Sequence, residues 1–197
     1  MTRQLDKSKW LDEDEIKVLL TQIESCKNMN IKMLIIFGIG TGARIGEMIS
    51  LRIQDLYQDG DGEVKTSIDI TGKRNVTRRL PISDFVRKHF QEFYEYKKTK
   101  NHSLDPSAPV FLSNHRRQLS YSAAHSALAR WREKLGLNLK SFHVLRHSLL
   151  SKLAVHPQGG VLIAKEIAGH VNISTTGIYL HAHPKLVRTV INEATNF

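Results

Sequence analysis

His143 and Arg146 stand three residues apart in the run Phe142-His143-Val144-Leu145-Arg146-His147, which has helical character, so both side chains leave one helix face a single turn apart. Together they can grip one phosphate. The guanidinium fork matches two phosphate oxygens, while the imidazole can donate a hydrogen bond or pass a proton. The pair alone decides nothing, because an amphipathic helix with a solvated Arg and a packed His shows the same spacing. His143 and His147 are four apart, as two zinc ligands on a helix would be, and His181 and His183 could complete such a site. Val144 follows His143, however, where an HExxH metalloprotease needs its glutamate base, so no metal site is expected and His147 reads as a packed or hydrogen-bonded residue. Gly169-His170 puts another imidazole at a helix end, and Tyr179 follows nine residues later. A tyrosine can attack covalently once its phenol is deprotonated and charge on its target is stabilised. With an ordinary pKa of about 10 it needs cations and an acceptor nearby; a lone Tyr is otherwise an aromatic anchor.

These groups must be held by elements whose patterns are readable. Asp12 or Asp14 can cap a helix with Ile16, Leu19, Leu20 and Ile23 on one stripe. The apolar run Ile31 to Ile39 ends in Gly38-Ile39-Gly40-Thr41-Gly42-Ala43-Arg44-Ile45-Gly46-Glu47, whose glycines predict a turn or tight packing before helix resumes through Met48, Ile49 and Leu51. Arg44 then lies where one helix stops and the next starts. The Asp59-Gly60-Asp61-Gly62 turn signal, extended residues Val64, Ser67, Ile68 and Ile70, and a second run from Val76 to Ile82 predict a β-hairpin or small sheet. It carries Lys65, Lys73, Arg74, Arg78 and Arg79.

Helical periodicity returns from Ser83 to about Lys98, with Phe85, Val86, Phe90, Phe93 and Tyr94 on one broad face. A loop from Thr99 to Pro109 and a short extended piece, Val110 to Leu112, follow. Ser120 can cap a helix to Leu135 that Gly136 ends, and Ser141 can cap the helix bearing His143 and Arg146. After a break at His156 to Gly160 come a short helix from Val161 to Ala168, a turn from Ser174 to Leu180 and a tail helix from Pro184 to about Ala194. The pattern is α+β, mainly α-helical with a small antiparallel hairpin.

A chain of 197 residues fits one domain, and 41% hydrophobic with 24% charged residues can bury a core. Its 29 Lys and Arg against 19 Asp and Glu leave a net charge of +10, which makes a polyanion the first partner to test. From Lys65 to Lys88 the basic residues Lys65, Lys73, Arg74, Arg78, Arg79, Arg87 and Lys88 outnumber Asp69 and Asp84. Such a run is either a solvated face or a contact to a phosphate backbone, and the second reading is favoured. The single Cys26 cannot form an internal disulfide or a structural zinc cluster. With no secretory h-region and no apolar run of membrane-spanning length, a cytoplasmic protein (nuclear in a eukaryote) without a membrane partner is expected.

Four motifs, in order, give the chain its resemblance to the tyrosine recombinase, or phage integrase, family. They are Thr41-Gly42-Ala43-Arg44-Ile45-Gly46-Glu47, Thr71-Gly72-Lys73 through Pro81, His143-Val144-Leu145-Arg146-His147, and Ala168-Gly169-His170 with Thr175-Thr176-Gly177-Ile178-Tyr179. The resemblance runs from about Leu11 to His183 and implies the family's catalytic-domain fold. It implies that Arg44 and Arg146 clamp the scissile phosphate, that Lys73 protonates the leaving 5′ oxygen, and that His143 accepts or relays the tyrosine proton. His170 would add a hydrogen bond to the phosphate, and Tyr179 would attack phosphorus to leave a 3′-phosphotyrosine. Tyr121, Tyr94 and Tyr96 are the next candidates for the nucleophile. Arg74, beside Lys73, scarcely gives up a proton and is the poorer acid. Lys65, Arg74, Arg78 and Arg79 are expected on the DNA-binding face. Glu47 either orients Arg44 or forms an ordinary helix pair.

One phosphodiester is exchanged for another, so no cofactor and no ATP are expected. The resemblance further implies double-stranded DNA as partner and a tetramer on paired sites during recombination, with a monomer in solution the alternative. Residues 1–10 read as a polar extension, 11–183 as the catalytic domain and 184–197 as a tail helix for subunit contact or for packing on its own domain. The short lead-in reads as either a naturally short recombinase or a catalytic fragment. Ala168 stands where the family often has Leu before Gly-His, a change local repacking can absorb. A type IB topoisomerase and a non-cleaving DNA-binding regulator on the same fold are the competing functions.

Overall fold

The computed structural model describes residues 10–58, 62–72, 77–133, 139–156 and 160–169. Ten elements follow in order within them: α1 (Glu13–Ile23), α2 (Met29–Thr41), α3 (Ile45–Ser50), α4 (Ile53–Leu56), β1 (Ser67–Thr71), β2 (Thr77–Pro81), α5 (Asp84–Thr99), α6 (Tyr121–Arg132), α7 (Phe142–Ala154) and α8 (Gly160–Ala168). The mainly helical α+β architecture is the one the sequence predicts. The expected turn from Ser174 and the tail helix from Pro184 lie outside the described residues, as does the hairpin tip with Lys73 and Arg74.

α2 is the centre of the molecule because nearly every residue from Ile31 to Ile39 is apolar, leaving no face to give to water. It packs against α5 and α7, and α7 against α8. Asn28 caps its start, and its end is Gly42 in the left-handed conformation, φ 67°. The predicted turn or tight packing is therefore both. Gly42 makes the turn, while Gly40, inside the helix, lets α5 approach so closely that a Cβ there would lie 2.2 Å from the Val86 side chain. Phe37, Phe90, Phe93 and Phe111 meet edge-on or stacked between α2, α5 and the 110–112 segment.

The short extended piece Val110 to Leu112 joins no sheet: an isolated bridge pairs Leu112 with Gln118, another pairs the preceding Pro109 with Arg52, and the four-residue α4 adds a turn of helix that the sequence pattern does not predict. Lys97 on α5 fixes this segment by donating to the Val110 carbonyl at 2.9 Å, and burial pulls its pKa down to about 8. β1 and β2 pair antiparallel with Asp69 opposite Arg79 and Ile70 opposite Arg78. Alternation turns Ile68, Ile70, Arg78 and Leu80 inward. The inner face of the hairpin's second strand rests on α8.

Candidate active site

Arg44 occupies the step between two helices that the glycine pattern marks. Gly42 turns the chain out of α2, Arg44 takes an extended conformation, and α3 begins at Ile45. The Glu47 side chain reaches back to accept the Arg44 backbone N–H at 2.7 Å, which supplies one partner for the exposed start of the helix. Arg146 projects from α7 and is buried to 4% exposure. A guanidinium at that depth needs acceptors, and two helix ends supply them. Arg146 Nη1 donates to the carbonyl of Gly42 at the end of α2, and Nη2 donates to the carbonyl of Ala168 at the end of α8, at 2.7 Å.

Arg44 Nη2 donates to that same Ala168 carbonyl at 3.3 Å. Residues 102 apart in sequence thus bring their guanidinium heads to one oxygen atom. A third of the Arg44 side chain remains open to a cleft of about 550 Å³ lined by Ile45, Glu47, Thr71, Gly72, Tyr121 and His143, among others. His143, one turn before Arg146 on α7, faces this cleft. Partial burial and then the charges of Arg146 and Arg44 push its pKa below the ordinary histidine value, which favours the neutral ring that can accept a proton.

Glu47 is more than a helix pair for Arg44. Its carboxylate accepts four hydrogen bonds: the Arg44 backbone N–H, Arg44 Nη1 at 3.0 Å, and Arg78 Nη1 and Nη2 at 2.9 and 2.8 Å. Burial alone would raise its pKa; the hydrogen bonds from Arg78 and Arg44 outweigh that and hold it below the usual carboxylate value. Here one expectation is corrected. Arg78 is not on the exposed basic face, because β2 turns it inward with Leu80 and its side chain is 7% exposed, bound to Glu47 and to the Ile167 carbonyl. Arg79, on the outer face, is 69% exposed and paired with Asp69, and Lys65 donates to the Gln54 carbonyl at the surface.

The expected Lys73, Arg74, His170 and Tyr179 lie outside the described residues. Of the alternative nucleophiles, Tyr94 is buried against Tyr57, whereas Tyr121 is half exposed in the cleft wall with its ring 4.4 Å from that of His125. Nothing in the sequence around Tyr121 marks it for the cleft, since the loop from residue 100 to 120 sets where α6 begins. Among the described residues no group of three His, Cys, Asp or Glu is placed to hold a metal ion, and no helix is long and apolar enough to cross a membrane.

The family model described as the phage integrase family matches residues 9–185. The chain is 36% identical over 142 residues to tyrosine recombinase XerC of Nitrobacter winogradskyi, an alignment covering 71% of this chain and 42% of that protein. It is 30% identical over 189 residues to tyrosine recombinase XerA of Pyrococcus horikoshii, covering 94% of this chain and 61% of the other. It therefore spans between two-fifths and three-fifths of the length of these relatives. A crystal structure of XerA recombinase superposes with a TM-score of 0.77 at 23% identity, over 95% of this chain and 65% of that one, so the folds agree.

Proposed function

The chain belongs to the phage integrase family, and from this we propose that it is a site-specific DNA recombinase of the integrase, invertase or resolvase type. The observation that carries the reading is the convergence of Arg44 and Arg146 on the Ala168 carbonyl beside a cleft that His143 enters. Two fixed guanidinium charges, Arg44 lining the cleft and Arg146 buried beside it, together with a neutral imidazole suit phosphoryl transfer, since its transition state gathers negative charge on the equatorial oxygens. The Tyr179 oxygen attacks phosphorus, the bond from phosphorus to the 5′ oxygen breaks, and a 3′-phosphotyrosine forms. The tyrosine proton passes to His143, and Lys73 gives a proton to the departing 5′ oxygen. His170 donates a hydrogen bond to the phosphate.

Double-stranded DNA is the partner, in the cytoplasm, with residues 11–183 as the catalytic domain and four copies on two paired sites during strand exchange. Lys65, Arg74 and Arg79 contact the phosphate backbone; Arg78, being buried, is left out. Tyr121 is a second reading for the nucleophile, favoured by its place in the cleft wall. Covalent capture on a pool of nicked duplexes with randomised sequence separates the two. Wild type is expected to form an adduct that Tyr179→Phe abolishes and Tyr121→Phe retains. Adduct surviving in Tyr179→Phe and lost in Tyr121→Phe would move the nucleophile to α6, and no adduct from wild type would defeat the recombinase reading.

A further inference from the structure

Arg78 has the surroundings of a registering device. Its guanidinium gives two parallel hydrogen bonds to Glu47 on α3 and a third, from Nε, to the Ile167 carbonyl on α8 at 2.8 Å. One side chain from β2 thus joins three elements. Two glycines close over it. A Cβ on Gly72 would lie 3.4 Å from Arg78 Nη1 and 3.3 Å from Glu47 Oε1, and a Cβ on Gly169 would lie 3.1 Å from Arg78 Cδ. Gly169 also holds φ at 59°, a conformation that side chains with a Cβ rarely adopt. In sequence Gly72 precedes Lys73 and Gly169 precedes His170, so the chain leaves this guanidinium toward both expected catalytic positions.

Resting on the recombinase reading, we infer that Arg78 is a positioning residue for cleavage: it acts through Glu47 on Arg44 and packs against Gly72 and the Gly169 turn, without touching DNA. A buried bidentate pair is a poor source of net stability, because desolvation of both charges offsets their attraction. Its use lies in geometry. Glu47 Oε1 is shared between Arg44 Nη1 and Arg78 Nη1, so the fork of Arg78 sets where that oxygen sits, and the oxygen sets the Arg44 head. Lysine in place of Arg78 keeps the positive charge and the pairing with Glu47 but cannot make both parallel bonds and the bond to Ile167 at once.

The test measures adduct formation in single turnover at saturating protein, duplex affinity across a salt series, and thermal unfolding, for wild type, Arg78→Lys and Arg78→Ala. The expected result for Arg78→Lys is cleavage slowed by about 100-fold, the scale of a clamp displaced by about 1 Å, with affinity within about twofold of wild type and the salt slope unchanged in both variants. Arg78→Ala leaves Glu47 buried without that partner and is expected to melt earlier, so the lysine variant carries the decision. Wild-type cleavage by Arg78→Lys would overturn the inference, as would a salt slope reduced by about one unit in Arg78→Ala, which would make Arg78 a phosphate contact. An inactive wild type would remove the recombinase reading and this inference together; an active wild type with an unaffected Arg78→Lys would remove this inference alone.

Discussion

His143 carries the pH dependence of the proposed chemistry. Partial burial, then Arg146 and Arg44, keep its pKa below the ordinary histidine value of about 6.5, so the ring stays neutral to lower pH than a free histidine would. Neutral imidazole is the form that accepts the tyrosine proton. Cleavage by the free enzyme at subsaturating protein should therefore hold through pH 6.5 and decline only as pH falls through the lowered value. His143→Ala should be slower by about 100-fold or more and lose that acid limb; a limb at or above 6.5 would assign it to another group. Stability has the same sign, since the unfolded chain binds this proton more readily: it is intact above about 6.5 and erodes as pH falls below. Arg44, His143 and Arg146 were legible because fixed spacing in short motifs carries them. Arg78 looks solvated in sequence because it lies within a basic run, yet its side chain is buried. The correcting signal was present in Thr77-Arg78-Arg79-Leu80-Pro81, where period-two alternation puts Arg78 on the face of Leu80.

Elements reach the site through the closeness of their packing, and α2 against α5 is the tightest case. Gly40→Ala would push a methyl into Val86, at 2.2 Å, where neither side chain has a free direction because Val86 is fully buried. Overpacking of this kind costs about 1–3 kcal/mol. Urea unfolding should show a loss in that range for Gly40→Ala, and Gly40→Ala combined with Val86→Ala should lose less than the sum of the two single variants. Additive losses would mean that the helices already stand far enough apart. The glycine spacing of this region is visible in sequence, and so are the long helices among the described residues: apolar periodicity marks α1 and α5, and an unbroken apolar run marks α2. What the spacing could not say is which glycine turns the chain and which admits a neighbour, since that depends on Val86, 46 residues further on. α4 and the bridges at Pro109 and Leu112 are too short to leave a pattern in sequence, and the Pro109 bridge is defined by Arg52, which is distant in sequence.

Charge acts at the scale of the whole molecule. A net charge of +10 makes this chain attractive to any duplex, and the salt dependence of that attraction counts the cations that replace condensed counterions. Arg79 and Arg78 are neighbours of one type with opposite settings. Arg79 stands on the outer face of the hairpin in a bidentate pair with Asp69, both side chains more than half exposed, and such a pair opens readily to a phosphate. Arg79→Ala should reduce the slope of log affinity against log salt by about one on a duplex of mixed sequence, while leaving single-turnover cleavage at saturating protein unchanged. Asp69→Asn should tighten binding to the same duplex, because phosphate then no longer competes with a carboxylate for the guanidinium. An unchanged slope in Arg79→Ala would take the outer hairpin face out of the interface. Were Arg79→Ala instead to slow cleavage at saturation, the two arginines could not be separated into one that grips DNA and one that orders the site, and the hairpin would have to act as a single unit.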